Sequence, residues 1–423
     1  MKKILIIYPH FPPSNLAGVH RPRLFAQHLP SFGWEPVILT VHEKYYEEAL
    51  DWNLHQLLPK DLRVEKVNAF KITKPRIIGD IGLRAFFQLR KKALSLLQTE
   101  HFDFVYIPIP SFYTALLGPY LYKKTKVKYG IDYIDPWVHV FPGSDKLFSR
   151  HWFTTQLAKW LEPKAVKNAA VITGVAEGYY QGVIERNPTL KNNCLFGAMP
   201  YGGEISDHEG LKNLDIKPYL FQKNNKIQLV YAGAMLPKAY EPLEAIFKSI
   251  AANKAIFDAV EFHFIGTGKL PNDPLSYNIK PLAEKYGIWQ TIVFEYPKRI
   301  PYLDVLIHLD ASDGVFILGS TEPHYTPSKT YQGVISCKPI LAVLHQDSSA
   351  VKILKSSGGG IVLDFDGQNE IHLIENNFPS FFSEYINWIK GFNIESVDLQ
   401  IFEQYSAKNV TQKLVSILDK INS

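Results

Sequence analysis

Short runs of apolar, largely β-branched and aromatic residues recur along the first half of the chain. They lie at Ile4 to Tyr8, Pro36 to Val41, Phe104 to Ile107, Val127 to Ile131 and Val171 to Thr173, with stretches of helical spacing between them. Continuous apolar runs of this length suit strands buried on both faces, and strands alternating with helices build right-handed βαβ units on a parallel sheet. The pattern begins again at Ile227 to Tyr231 and continues through Val260 to Ile265, Thr291 to Phe294, Gly314 to Leu318, Ile340 to Leu344 and Ile361 to Leu363. The chain therefore reads as α/β, with two doubly wound, Rossmann-like parallel-sheet domains. From Pro200-Tyr201-Gly202-Gly203 to Asn224-Asn225 the apolar periodicity fades, and this is the expected linker between domains at 1–205 and 226–390. Near the end, Val410, Leu414, Ile417, Leu418 and Ile421 recur at helical spacing and predict an amphipathic helix that packs on one of the domains.

Composition adds bounds rather than a direction. With 423 residues, 46% hydrophobic and 21% charged, the chain has material for two full cores and little room for disorder. Cys194 and Cys337 are its two cysteines, which supports neither a disulfide framework nor a structural zinc site and suits a reducing, cytoplasmic setting. No stretch approaches the roughly 20 apolar residues of a membrane span. Peripheral contact, for instance with the inner face of a membrane, stays open. A formal charge of +5 suits small anions or a lipid surface better than an extended nucleic-acid footprint.

Ligands of open parallel sheets bind beyond the carboxyl ends of the strands, so the loops there are where chemistry is expected. Two domains facing across a cleft would offer two such edges. The first loop, His10 to Arg23, passes through Ala17 and Gly18 into a basic helix start with Arg21 and Arg23. It could receive a phosphate on backbone amides and a guanidinium, or be a surface loop with a basic helix face. A second cluster, Tyr129 to Trp137, ends an apolar strand in Asp132 and Asp135; a carboxylate there could take a proton from an acceptor hydroxyl, or Asp135-Pro136 could simply start a turn.

The segment Glu322-Pro323-His324-Tyr325-Thr326-Pro327-Ser328-Lys329-Thr330-Tyr331-Gln332-Gly333 carries the most information. Thr326 suits an N-cap and Pro327 the first helical position, so a helix is expected to start there with free amides near Ser328 to Thr330. Lys329 in the first turn opposes the helix dipole, which makes sense beside a bound anion, although a solvated lysine is the plain alternative. Gly233, followed by Lys238, and Gly266 with Gly268 sit in turns after strands; they leave room for a ligand at the backbone or serve as turn chemistry. His10, His20, His139 and His324 are acid or base candidates without metal-ligand spacing. A basic amphipathic stretch from Leu83 to Leu97, with Arg84, Arg90, Lys91 and Lys92, could rest on an anionic membrane or be a core helix with a solvated face.

At these residues the chain resembles the family 4 glycosyltransferases of the GT-B fold, which build bacterial polysaccharides and glycolipids. The likeness runs over nearly the whole chain. Ile4 to Tyr8 with Pro12-Pro13, Ala17-Gly18 and Gly33-Trp34-Glu35-Pro36-Val37 is similar to the family's opening, and Asp135-Pro136-Trp137 resembles its Asp-Pro-Trp turn. Pro327-Ser328-Lys329 through Lys338-Pro339-Ile340 resembles its donor-site helix, and Phe402 to Ser406 its terminal crossover. The resemblance implies an acceptor domain at 1–205, a nucleotide-sugar donor domain at 226–390 and a crossover helix at 391–423 that returns to the first domain. It further implies a UDP- or GDP-type sugar donor, a glycan or lipid-linked acceptor, retention of configuration, and no metal or other cofactor. Ala17 and Gly18 would face the donor phosphates with Lys238 and Ser328-Lys329. Where family members often carry two glutamates eight positions apart, this chain has His324 and Gln332.

The mechanism this suggests has backbone amides, Lys238 and Lys329 stabilising the departing diphosphate. Asp135 stands on the acceptor side, and Gln332 and Glu322 on the nucleoside and sugar. A nucleotide-sugar epimerase on the same plan, or a silent nucleotide-binding protein, are the competing readings.

Overall fold

The computed structural model describes residues 1–73, 78–138, 146–211, 214, 216–270, 272–323 and 329–422, with backbone alone at Pro237, Lys329 and Asn422. The chain divides into two units, Met1–Gly202 together with Ala407–Ser423, and Gly203–Ser406.

The first unit is built on seven parallel strands: β1 (Lys2–Ile7), β2 (Trp34–Val41), β3 (Arg63–Val67), β4 (Phe104–Ile109), β5 (Tyr129–Tyr133), β6 (Val171–Gly174) and β7 (Leu195–Ala198). Their order is β3-β2-β1-β4-β5-β6-β7, so the sheet is wound outward in both directions from β1 and β4. Alternation along β1 splits the core. Leu5 and Ile7 join Leu89, Ala93, Leu121, Ala158 and Ala165 of helices on one face. Ile4 and Ile6 join Phe25, Leu414 and Leu418 on the other. The strands β3 and β7 went unrecognised in the sequence because they are edges: β3 reads Arg-Val-Glu-Lys-Val, and Arg63 pairs with Glu65 and Glu100 instead of entering a core.

The second unit carries β8 (Ile227–Ala232), β9 (Val260–Ile265), β10 (Val293–Tyr296), β11 (Gly314–Leu318), β12 (Ile340–His345) and β13 (Gly360–Phe365), in the order β10-β9-β8-β11-β12-β13. Phe262, Phe264, Phe316, Phe378 and Phe382 are buried in its core.

Three boundaries differ from expectation, each for a physical reason. The expected linker from 200 to 225 belongs to the second unit from Gly203 onward. It contains the helix Ile205–Leu211, and Tyr219 and Phe221 pack their rings against His308 and His263. Residues 391–406 also stay with the second unit, where Phe402 and Tyr405 lie against Tyr331 and Gly203 donates to the Tyr405 carbonyl at 3.1 Å. The chain rejoins the first unit only with the helix Ala407–Asn422, which buries Val410, Leu414 and Leu418 and pairs Asp419 with Lys2 at 2.6 Å. Finally, β5 runs two residues further than expected, which carries Asp132 inside the sheet.

Candidate active site

In the first unit the loops after β1 and β5 converge on the carboxyl edge of the sheet. Asp135 follows β5 in a turn anchored by Trp137, whose buried ring stacks on Phe112 at 5.9 Å. The Asp135 side chain touches solvent. Enough protein surrounds it, Tyr8 and Tyr201 included, that burial pushes its carboxyl up to about 6. The side chain is exposed, yet the protein packed around it displaces part of the solvent that would favour its charge.

In the first loop, His10 Nδ1 lies 2.7 Å from Glu48 Oε1, which also accepts from Ser14 Oγ at 2.5 Å. Burial works to raise the Glu48 carboxyl, but the hydrogen bonds from His10 and Ser14 outweigh it and hold it below the ordinary range. A histidine oriented by a carboxylate is a usable proton acceptor. His10 was among the sequence candidates; Glu48 was not, because nothing in a Tyr-Tyr-Glu-Glu run shows that it folds back onto the first loop. Ala17 is exposed, and Gly18 lies so close to the Tyr8 hydroxyl that any side chain at 18 would collide with it.

Arg21 does not stand where a phosphate could meet it. Its side chain is buried, and its guanidinium binds Asp132 through Nε at 2.8 Å and Nη2 at 3.0 Å, and the carbonyls of Met199 and Pro200 through Nη1 at 2.5 and 2.9 Å. Thr173 Oγ1 donates to Asp132 at 2.7 Å. The pair crosses from the first helix to β5, and its donors are spent on the fold. Arg21 is therefore corrected from a ligand residue to an internal ion pair, and Asp132 from a loop acid to its counter-charge. A sequence offers no sign of this, because the two residues meet only when the sheet forms.

In the second unit, Lys238 follows β8 and Glu322 follows β11, and the two side chains pair at 2.9 Å while each stays close to half exposed. The amides of Gly233, Gly266 and Gly268 are already engaged, donating to the carbonyls of Ile265, Tyr296 and Pro297 at 2.9, 2.8 and 2.9 Å. These glycines thus extend the strand ladder at the edge and offer no free amides to a phosphate, and Gly268 is packed tightly against Pro297 and Ser276. Gly266 adopts φ 72° and packs against Arg299. Arg299 sits in the loop after β10, and burial lowers its guanidinium below its ordinary value. It forms no ion pair among the described residues. The sequence reading passed over Arg299, although Pro-Lys-Arg directly after a strand was a usable signal.

The helix Lys329–Ile335 begins within the segment expected to start one. His324 and Ser328 lie outside the described residues, as does the side chain of Lys329. Thr330 is buried, with no hydrogen-bond partner for its Oγ1 among the described residues. Gln332 Oε1 accepts from His208 Nε2 at 3.0 Å, a contact within the second unit that fixes the orientation of its amide. The Glu295 carboxylate, buried at the end of β10, accepts from Thr267 Oγ1 and from the amides of Asn278, Ile279 and Lys280, so it caps the helix Lys280–Lys285 and braces the Gly266 turn.

No profile of a known protein family matches the sequence, and no curated protein sequence matches it. Solved structures match over the whole chain. HepE from Anabaena, solved with UDP and glucose, aligns over 99% of this chain and 100% of its own at a TM-score of 0.62 and 13% identity. UDP-forming α,α-trehalose-phosphate synthase from Burkholderia xenovorans aligns over 100% of both chains at 0.64 and 11%. Sucrose-phosphate synthase from Thermosynechococcus elongatus aligns over 100% of this chain and 99% of its own at 0.58 and 11%. At these identities the likeness is one of fold, and the fold of this chain is GT-B, two Rossmann-like parallel-sheet domains.

Proposed function

We propose that the protein is a glycosyltransferase that takes a sugar from a nucleotide diphosphate donor of UDP or GDP type and passes it to a glycan or lipid-linked acceptor. The reading includes retention of anomeric configuration without a required metal. The observation that carries it is the end-to-end correspondence with structures whose names include UDP, UDP-glucose or UDP-forming synthesis. The alignments cover nearly all of each chain, so the likeness is to the two-domain architecture and not to a part of it.

In this reading the second unit holds the donor. Negative charge grows on the diphosphate as the glycosidic bond breaks, and a cation placed there lowers the barrier because the charge is larger in the transition state than in the bound donor. Lys238 and Arg299 are assigned to this role, as is Lys329 in the first turn of its helix. Glu322 is assigned to a sugar hydroxyl once a diphosphate has drawn Lys238 away, and Gln332 and Thr330 to the nucleoside. The first unit supplies the acceptor side, with Asp135 assigned to take the acceptor's proton. The His10–Glu48 pair supports a second assignment for that step, since its geometry already orients a base.

The test is incubation with a panel of UDP- and GDP-sugars and mixed glycan and lipid-linked acceptors, with and without a chelator. Release of nucleoside diphosphate together with a glycosylated product, unaffected by the chelator, is the expected result. Conversion of the donor to an isomer would instead make the protein an epimerase, and tight nucleotide binding without turnover across the panel would make it a silent relative.

A further inference from the structure

The first unit has a surface that the chemistry above leaves unused. Three helices lie side by side over one face of its sheet: Phe86–Thr99, Leu117–Thr125 and Arg150–Val166, in that order of contact. Their inner sides join one core, through Leu89, Ala93, Leu121, Ala158 and Ala165, so their outer sides look the same way. Between them they carry Arg90, Lys91, Lys123, Lys124, Arg150, Lys159 and Lys164, besides Lys92, which is paired with Glu65 of β3 at 2.7 Å, against one carboxylate, Glu162. That carboxylate is buried and paired with Arg186 at 2.8 Å, so it does not reach the outer face. In a chain of 46 basic and 41 acidic residues this is a strong local imbalance.

The same face is apolar where a soluble helix should be polar. Phe153, Leu157 and Trp160 recur at i, i+4 and i+7 on the side opposite buried Ala158, Glu162 and Ala165, and are 55%, 39% and 61% exposed. Phe148, more exposed still at 74%, extends the stripe at the start of the helix, where its ring lies against Trp152 and Phe153. Lys164 stands over the Trp160 ring at 3.0 Å to the centroid, and Phe87 is exposed under Arg90 on the first of the three helices.

We infer that this face docks the protein on an anionic lipid bilayer, with the helix Arg150–Val166 lying in the interface. Bulky apolar side chains on a helix rimmed by lysine and arginine are what an interfacial helix requires: the rings and Leu157 enter the acyl boundary while the cations meet lipid phosphates. A second copy of the chain would not suit the face, because two such surfaces repel each other. A nucleic acid would neutralise the cations but leave Leu157 and Leu147, both exposed, in water. Among the described residues no helix is long and apolar enough to cross a membrane, so the contact is one of surface. The inference stands on this surface alone and does not depend on the enzymatic reading.

The experiment is sedimentation of the full chain with vesicles of phosphatidylcholine, alone and enriched in phosphatidylglycerol. Binding is expected to the enriched vesicles only, to weaken as salt rises, and to fall roughly tenfold or more in F153S/L157S/W160S. Substitution at these exposed positions should leave the melting temperature in place. A charge variant, K123E/K124E/K159E, should lose the preference for the anionic lipid. If wild type stays in solution with both vesicles at low salt, the inference is wrong. It is equally wrong if the apolar variant binds as well as wild type, or if RNA is captured while vesicles are not.

Discussion

Lys238 Nζ lies 2.9 Å from Glu322 Oε1, across the loops that follow β8 and β11, two strands paired directly in the second sheet. The backbone repeats the contact, since the Thr321 amide donates to the Lys238 carbonyl at 3.1 Å. A cation and a carboxylate that both serve a diphosphate sugar would neutralise one another until that ligand separates them.

This pairing makes two outcomes measurable. Lys238→Ala should lower kcat/KM by about 100- to 1000-fold, the usual cost of a charge that stabilises a leaving group. The melting temperature should barely move, because a half-exposed ion pair contributes at most about 1 kcal/mol. Glu322→Gln frees the ammonium and should tighten nucleoside diphosphate binding while slowing transfer. An unchanged dissociation constant in calorimetry would show that the pair does not compete with the ligand.

Arg299 is a second cation assigned to this edge, depressed by burial and without an ion-pair partner among the described residues. Arg299→Ala should weaken nucleoside diphosphate binding by about 1.5–3 kcal/mol, the range for a hydrogen bond to a charged group. Arg299→Lys should recover only part of it, since the planar fork is lost. Equal affinity of wild type and the alanine variant would remove Arg299 from the site.

Asp135 carries a pH signature. Its carboxyl is raised from 3.8 to about 6 by burial, and a general base must be ionised, so kcat/KM should climb with pH through about 6 and level off above it. Asp135→Asn should abolish the climb along with most of the activity. The effect on stability has the opposite sense: the fold favours the neutral acid, so its contribution is complete below 3.8 and lost as pH rises through about 6. A climb that survives in Asp135→Asn but vanishes in His10→Ala would assign the base to the His10–Glu48 pair.

Breaking the buried pair of Arg21 and Asp132 tests the correction made above. Asp132→Ala strands a guanidinium in the core and should cost about 3–5 kcal/mol in chemical denaturation. Removing both charges together, as in R21M/D132L, should cost less than the two single changes summed. Nucleotide affinity of whatever folded protein remains should be unchanged, whereas a phosphate ligand at Arg21 would lose its partner.

How much of this was legible in the sequence follows from where each signal lies. The central strands announced themselves because a run such as Ile4-Leu5-Ile6-Ile7 is buried on both faces and needs no neighbour to be recognised. The edge strand β3 did not, because its charged residues are satisfied by Lys92, Glu100 and Glu43 from other elements. The glycines at 233, 266 and 268 were visible as turn residues, but whether their amides are open or used depends on carbonyls from neighbouring strands.

What the sequence determined by itself was the alternation of strand and helix, the two-part division, and a final amphipathic helix that packs on one of the domains. All of these are local patterns of burial and turn formation. Only the tertiary structure decided which charges are spent and which remain: Arg21 goes inside with Asp132, Lys238 meets Glu322, His10 is held by Glu48, Arg299 is half-buried without an ion-pair partner among the described residues, and the stripe from Phe153 to Trp160 is left facing outward. The reason is distance along the chain. A residue's partner is set by the packing of elements separated by tens or hundreds of positions, and a residue's availability to a ligand is whatever that packing leaves over.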